Sequence, residues 1–135
     1  MGTKKPKAVV LEFIDKINGA DVDGLCALMT DDHVFVDALG NRVRGREGMR
    51  AGWKGYFTLF PDYRITHEEV FQNRETVAVF GTASGTYAAA GKPSKEHHWQ
   101  VPAAWKAVIR DAKVAEWRVY CDNQAARKLL GDKTP

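Results

Sequence analysis

Val10, Phe13, Ile14 and Ile17 fall three and four positions apart within residues 7–18, the spacing of a helix with one apolar face. Gly19 is placed to end that helix in a left-handed cap. Asp21 can then cap a second, shorter helix that turns Val22, Leu25, Leu28 and Met29 inward, with Cys26 alongside. Beyond the turn-like Thr30-Asp31-Asp32 the pattern changes period. The run from His33 to Leu39 has the β-branched and aromatic content of a strand, and Gly40-Asn41 closes it. Strand alternation puts His33, Phe35 and Asp37 on one face and Val34, Val36 and Ala38 on the other. Both faces carry apolar residues, which predicts a strand buried on both sides.

Arg42-Val43-Arg44 reads as a short return strand. Residues 45–60 return to helical spacing, with Met49, Trp53, Tyr56, Phe57 and Phe60 on one strongly aromatic face, until Pro61-Asp62 stops them. From Tyr63 onward the chain reads as a meander. Strands are predicted over residues 64–72 and 76–87, a hairpin loop over 88–95, a long strand over 96–110 and a last strand over 114–121. The odd-numbered residues of the long strand, among them Trp99, Val101, Trp105 and Ile109, share one face. Asp122 is placed to cap a short final helix ending near Leu130-Gly131. Helices, one strand, a helix and then long strands make an α+β protein with helices on one face of a curved antiparallel sheet. Residues 1–135 are read as a single domain, with 1–6 and 132–135 as loose termini.

Composition changes this picture little. The chain is 44% hydrophobic and 27% charged with a net charge of +3, ordinary for a globular domain able to bury its own core. Basic residues are interspersed with acidic ones, so no nucleic-acid-binding face is expected. No run approaches the roughly 20 apolar residues of a membrane span, and no secretory leader follows Met1, so the expectation is a cytoplasmic protein off the membrane. Cys26 and Cys121 are read as free thiols, and no metal-ligand spacing, phosphate loop or dinucleotide fingerprint occurs. No cofactor or metal is therefore expected. The chemistry-bearing candidate is Asp37. A carboxylate on an apolar strand is costly to ionise unless donors or a cation compensate, and such groups mark functional sites; the alternative is a solvated turn former at a strand end.

Motifs in series point further. Val9-Val10-Leu11-Glu12-Phe13, Val36-Asp37-Ala38-Leu39-Gly40, the helix start Gly45-Arg46-Glu47-Gly48-Met49 and Phe60-Pro61-Asp62-Tyr63-Arg64 come in order. Lys113-Val114-Ala115-Glu116-Trp117 and the ending Leu129-Leu130-Gly131 follow. Over residues 9–131 the chain resembles the nuclear transport factor 2-like fold, and within it the SnoaL-like and ketosteroid isomerase-like families. The resemblance implies a cystatin-like cone, a bent sheet wrapped around the N-terminal helices with a pocket inside, and a homodimer through the outer sheet face.

Asp37 matches the general base of the isomerase, which moves a proton beside a carbonyl. The isomerase's oxyanion donors are not matched. Phe13 stands where it has a tyrosine, and Ala104 or Trp105 where it has a protonated aspartate. Asp122 matches an aspartate that follows the last strand in the SnoaL-like cyclases, and a helix cap is its other reading. Arg118 and Asp122 match part of the relay of limonene epoxide hydrolases, whose further aspartate has no counterpart on the 99–109 strand. His67, His97 and His98 are read as exposed, and none aligns with the pocket histidine of the dehydratase-like members. Phe13, Trp53, Phe57, Trp99, Trp105 and Trp117 are the expected pocket wall, joined by Val101 and Val119. Two functions follow: an enzyme shifting protons or closing rings on a small hydrophobic carbonyl compound, with Asp37 and Asp122 as its catalytic candidates, or a non-catalytic binding or dimerisation module.

Overall fold

The computed structural model describes residues 4–89 and 92–131. Ten elements follow the chain: α1 (Pro6–Asn18), α2 (Val22–Ala27), β1 (Met29–Val36), β2 (Arg42–Arg44), α3 (Arg46–Leu59), β3 (Arg64–Asn73), β4 (Thr76–Ala89), β5 (Lys92–Arg110), β6 (Lys113–Cys121) and α4 (Gln124–Leu129). The strands form one six-stranded sheet in the order β2-β1-β6-β5-β4-β3. The α+β reading holds, with one difference in the sheet. β1 runs parallel to β6, with Phe35 beside Trp117 and Val36 beside Arg118, whereas every other pair is antiparallel. A helical segment and the whole meander separate these two strands in sequence, and a pairing between such distant segments leaves no local hairpin signature to read.

α1 buries Val9, Val10, Phe13, Ile14 and Ile17 completely or nearly so, the stripe that its spacing dictates. Pro6 occupies the first turn, where its missing N–H costs nothing, and Lys4 pairs with Glu12, so the ordered chain begins earlier than the loose 1–6 expected. Residues 1–3 and 132–135 of the expected loose termini lie outside the described residues. Gly19 is not left-handed; Ala20 takes the positive φ instead, at 52°. Asn18 then clamps α1 onto the sheet, donating to the Ile65 carbonyl at 3.0 Å and accepting from the Ile65 N–H at 2.8 Å. Asp21 caps α2 as its position suggests, accepting from Gly24 N at 2.9 Å.

Two segments differ from expectation for physical reasons. The hairpin loop expected over 88–95 is mostly sheet, since Ala88 pairs with Pro93 and Ala89 with Lys92; the remaining residues 90 and 91 lie outside the described set. Small residues lowered the local strand signal there, and pairing with the neighbouring strand overrode it. β1 ends at Val36, earlier than expected, because Asp37 leaves the ladder to build a turn.

The sheet bends where β3 carries an irregularity between His67 and Glu69, opposite Gly81 on β4. A Cβ on Gly81 would stand 1.9 Å from the Thr66 carbonyl oxygen, so only glycine permits this approach of the two backbones. Gly81→Ala is expected to lower stability by about 3 kcal/mol, the upper part of the usual overpacking range, read as a reduced midpoint in urea unfolding.

His33 is fully buried beside Phe13, at 6.3 Å between ring centroids. Its Nδ1 lies 2.7 Å from the Val114 carbonyl, which can only accept, so Nδ1 carries the proton. Nε2 is buried without a partner. Burial pushes the imidazole pKa down from 6.5, against smaller upward pulls from the Val114 carbonyl, Asp32 and Glu116. The native state thus favours neutral His33, while the unfolded chain takes up a proton below about pH 6.5. Stability from this group is present above that pH and lost as the pH falls. In chemical denaturation between pH 7 and 5, wild type should lose stability faster than His33→Gln, by at most about 1.4 kcal/mol per pH unit.

Candidate functional site

Between the concave sheet face and α3 lies a cavity of about 320 Å³. Strand alternation builds one wall: Trp99 and Trp105 from β5, Trp117, Val119 and Cys121 from β6, and Ala83 from β4. The opposing wall comes from α3, whose helical spacing presents Met49, Gly52, Trp53 and Tyr56 together, with Tyr63 just beyond the helix end. Phe35, Asp37 and Ala38 at the end of β1, Val43 and Asn123 complete the lining. The four tryptophans of the chain all face this space. Trp105 and Trp117 stack at 6.4 Å and 21°, and Trp53 meets Phe35 edge-on at 6.4 Å.

Asp37 is the one carboxylate among the described lining residues. It is half-buried at the rim, where Leu39 and Gly40 next to it are exposed. Its Oδ1 accepts from the N–H groups of Leu39 at 2.9 Å and Asn41 at 2.8 Å, and Oδ2 accepts from the Asn41 side-chain amide at 3.1 Å. Gly40, at φ 87°, lets the chain reverse so that these donors converge. Of the two readings of Asp37, its hydrogen bonds match the turn former at a strand end, a carboxylate held by three donors. Among the described residues it forms no ion pair with Arg42 or Arg44. The Asp-x-x-Gly spacing builds the turn and brings the carboxylate to the cavity rim.

The other expected site residues divide. Trp53, Trp99, Trp105 and Trp117 line the cavity. Phe13 is instead core, fully buried behind Trp117 at 5.0 Å between centroids. Phe57 stacks on the far side of the wall against Trp53 at 5.3 Å and 24°, outside the lining. Val101 is half-buried and packs on the core without reaching the cavity. Asp122 corrects an expectation: its neighbours Cys121 and Asn123 both line the cavity, whereas Asp122 is exposed and accepts from Gln124 N at 3.1 Å. Alternation sends it outward, and it serves the start of α4, whose capping position is Asn123.

A family model for the SnoaL-like domain matches residues 10–117. The chain belongs to the SnoaL-like domain family. Solved structures agree on the fold. A protein assigned as a SnoaL-like polyketide cyclase from Jannaschia sp. CCS1 is 23% identical, with all of both chains covered and a TM-score of 0.78. IdmH from Streptomyces antibioticus, assigned as a polyketide cyclase, is 23% identical over 95% of this chain and 99% of its own, at a TM-score of 0.77. A protein with a ketosteroid isomerase-like fold from Catenulispora acidiphila, solved with trimethylamine, is 20% identical over 94% and 97% of the two chains, at a TM-score of 0.78. No curated protein matches the sequence significantly.

In this SnoaL-like chain, sequence reading missed Tyr56, Tyr63, Met49, Cys121 and Asn123 as lining residues. Tyr56 and Met49 belong to the aromatic stripe of α3, where periodicity alone does not separate core from cavity. Alternation from Val119 could have found Cys121. Its thiol is pushed up by burial and then by Asp122, which keeps it protonated and a poor nucleophile. Burial likewise raises both phenols, with Cys121 adding to Tyr56, and Tyr56 and then Cys121 adding to Tyr63. His33 and His98 are absent from the lining. The latter is exposed and contacts the Thr86 hydroxyl at 3.0 Å, which in turn donates to Asp62 at 2.7 Å, a clamp between β5, β4 and the end of α3. Among the described residues no group of His, Cys, Asp and Glu is placed to hold a metal, and no helix is long and apolar enough to cross a membrane.

Proposed function

We propose that this SnoaL-like protein binds a small, largely apolar carbonyl compound in its cavity and transfers a proton on it, in an isomerase or cyclase type of reaction, with Asp37 as the base. The observation that supports this is a single carboxylate at the rim of a cavity walled by four indoles. Apolar walls with few convergent polar groups suit a hydrophobic ligand, and an interior of about 320 Å³ is at the small end of such sites. A C–H proton passes to the carboxylate while its electron pair moves into the conjugated carbonyl; the carboxyl then returns the proton to another carbon of the enolate in an isomerisation, or to the alkoxide formed when the enolate carbon attacks a second carbonyl and closes a ring. Oδ2 of Asp37 has one protein donor where Oδ1 has two, so Oδ2 is the oxygen left with accepting capacity. The SnoaL-like family and its neighbours assigned as polyketide cyclases support the same class of ligand.

A second reading, binding without catalysis, is favoured by the three donors that already hold Asp37 in its turn. The two readings separate in deuterium exchange. Cyclic ketones and β-diketones incubated with the protein in D₂O should gain deuterium beside the carbonyl, followed by NMR. Asp37→Asn should keep the fold, because its amide oxygen can still accept from Leu39 and Asn41 while the Asn41 amide turns over. Exchange should then fall by about 10²–10⁴-fold. Exchange by the variant at the wild-type rate would remove Asp37 as the base. Bound ketones that never exchange would leave the binding reading standing.

The outer sheet face is proposed to form a homodimer. Phe71, Phe80 and Tyr120 are exposed by 55%, 45% and 47%, and the register aligns Phe80, Ala104 and Tyr120 across β4, β5 and β6. Light scattering at micromolar concentration should give twice the chain mass for wild type and the chain mass for Phe80→Glu. A monomeric wild type would refute the dimer.

A further inference from the structure

We propose that the hydroxyls of Tyr56 and Tyr63 form a paired donor site that recognises the carbonyl oxygen of a cyclic ketone held between the indoles. This rests on the reading of the cavity as a small-molecule site and names the group on the ligand that the protein selects. Tyr56 lies in the last turn of α3 and Tyr63 just after it, and backbone bonds fix their spacing: Phe60 N donates to Tyr56 O at 2.8 Å and Tyr63 N to Phe60 O at 3.1 Å. The rings meet edge to face, 4.9 Å apart at 89°, and both residues line the cavity from the same corner of the chain.

Among the described residues neither hydroxyl has an acceptor for its proton, although Tyr63 is only 8% exposed. Neither hydroxyl is among the fully enclosed unpaired polar atoms, so both donors are open to the cavity, where a ligand's acceptor can take them. Burial keeps both groups protonated, hence donors, at any pH the protein meets. The surrounding indoles supply flat apolar faces. A planar ring with one acceptor oxygen satisfies both features, whereas a hydrocarbon leaves the donors unpaired and a charged acid meets no cation among the described lining residues.

The test uses 1-tetralone, a bicyclic ketone, and tetralin, its hydrocarbon counterpart, titrated calorimetrically into wild type, Tyr56→Phe and Tyr63→Phe. Wild type should bind tetralone about tenfold more tightly than tetralin, the worth of one to two net hydrogen bonds. Each phenylalanine variant should weaken tetralone by about three- to tenfold and leave tetralin within about twofold. Carbonyl-¹³C tetralone bound to wild type should shift downfield of its position in an apolar solvent, a measurement that needs no variant. Equal losses for both ligands, or an unshifted carbonyl, would overturn the donor pair while leaving the apolar cavity site intact. Failure of wild type to bind either ligand would overturn both.

Discussion

The parallel pairing of β1 with β6 is the constraint on which the rest of the molecule depends. It is the sheet's junction between the helical half of the chain and the meander. The junction is held by more than its ladder: Val114 N donates to Leu28 O at 2.6 Å, and His33 donates from Nδ1 to the carbonyl of the same Val114. Phe35 is thereby set beside Trp117, and the turn that follows β1 arrives at the edge of the concave face. α3 starts from the same place, since Gly45 N donates to His33 O at 2.7 Å. Loosening this one ladder would separate Asp37, the α3 wall and the indole wall from one another at once.

That dependence explains the odd character of His33. A neutral imidazole buried with one nitrogen unpaired is a poor choice if packing were the only demand. It joins a side chain to a distant carbonyl across the parallel seam, where the ladder itself is irregular between Met29 and Val34. The histidine supplies a bond at the point where the regular pattern of strand bonds lapses.

Much of this was legible in the chain because period and face are local properties. The stripe Val10, Phe13, Ile14, Ile17 and the odd-numbered face of β5 each declare one buried side, and both were read in the right phase. What escaped reading was depth and long-range pairing. Phe13 and Trp117 carry the same kind of signal, yet one is core and the other borders empty space, a distinction set by what lies opposite. The parallel seam left no turn motif. Asp37 was legible as special, with site carboxylate and turn former both open, because the same Asp-x-x-Gly spacing makes a turn and presents a carboxylate. Tyr56 read as part of an aromatic helix face and Tyr63 as the start of the meander, since neither periodicity nor turn signal separates a phenol that borders a cavity from one that packs.

The arrangement of the tryptophans has an optical consequence. Because the cavity claims all four, no indole elsewhere contributes to the protein's emission, and the chain carries a probe built into one place. Three of the rings stand on the sheet and one on α3, so a single spectrum samples both walls. Water entering the space, a molecule displacing it, or a separation of helix from sheet each alters the surroundings of these chromophores and nothing else that fluoresces as strongly. The stacked pair Trp105 and Trp117 is also close enough to share excitation, which makes the near-ultraviolet dichroism of this protein a signature of the cavity's floor.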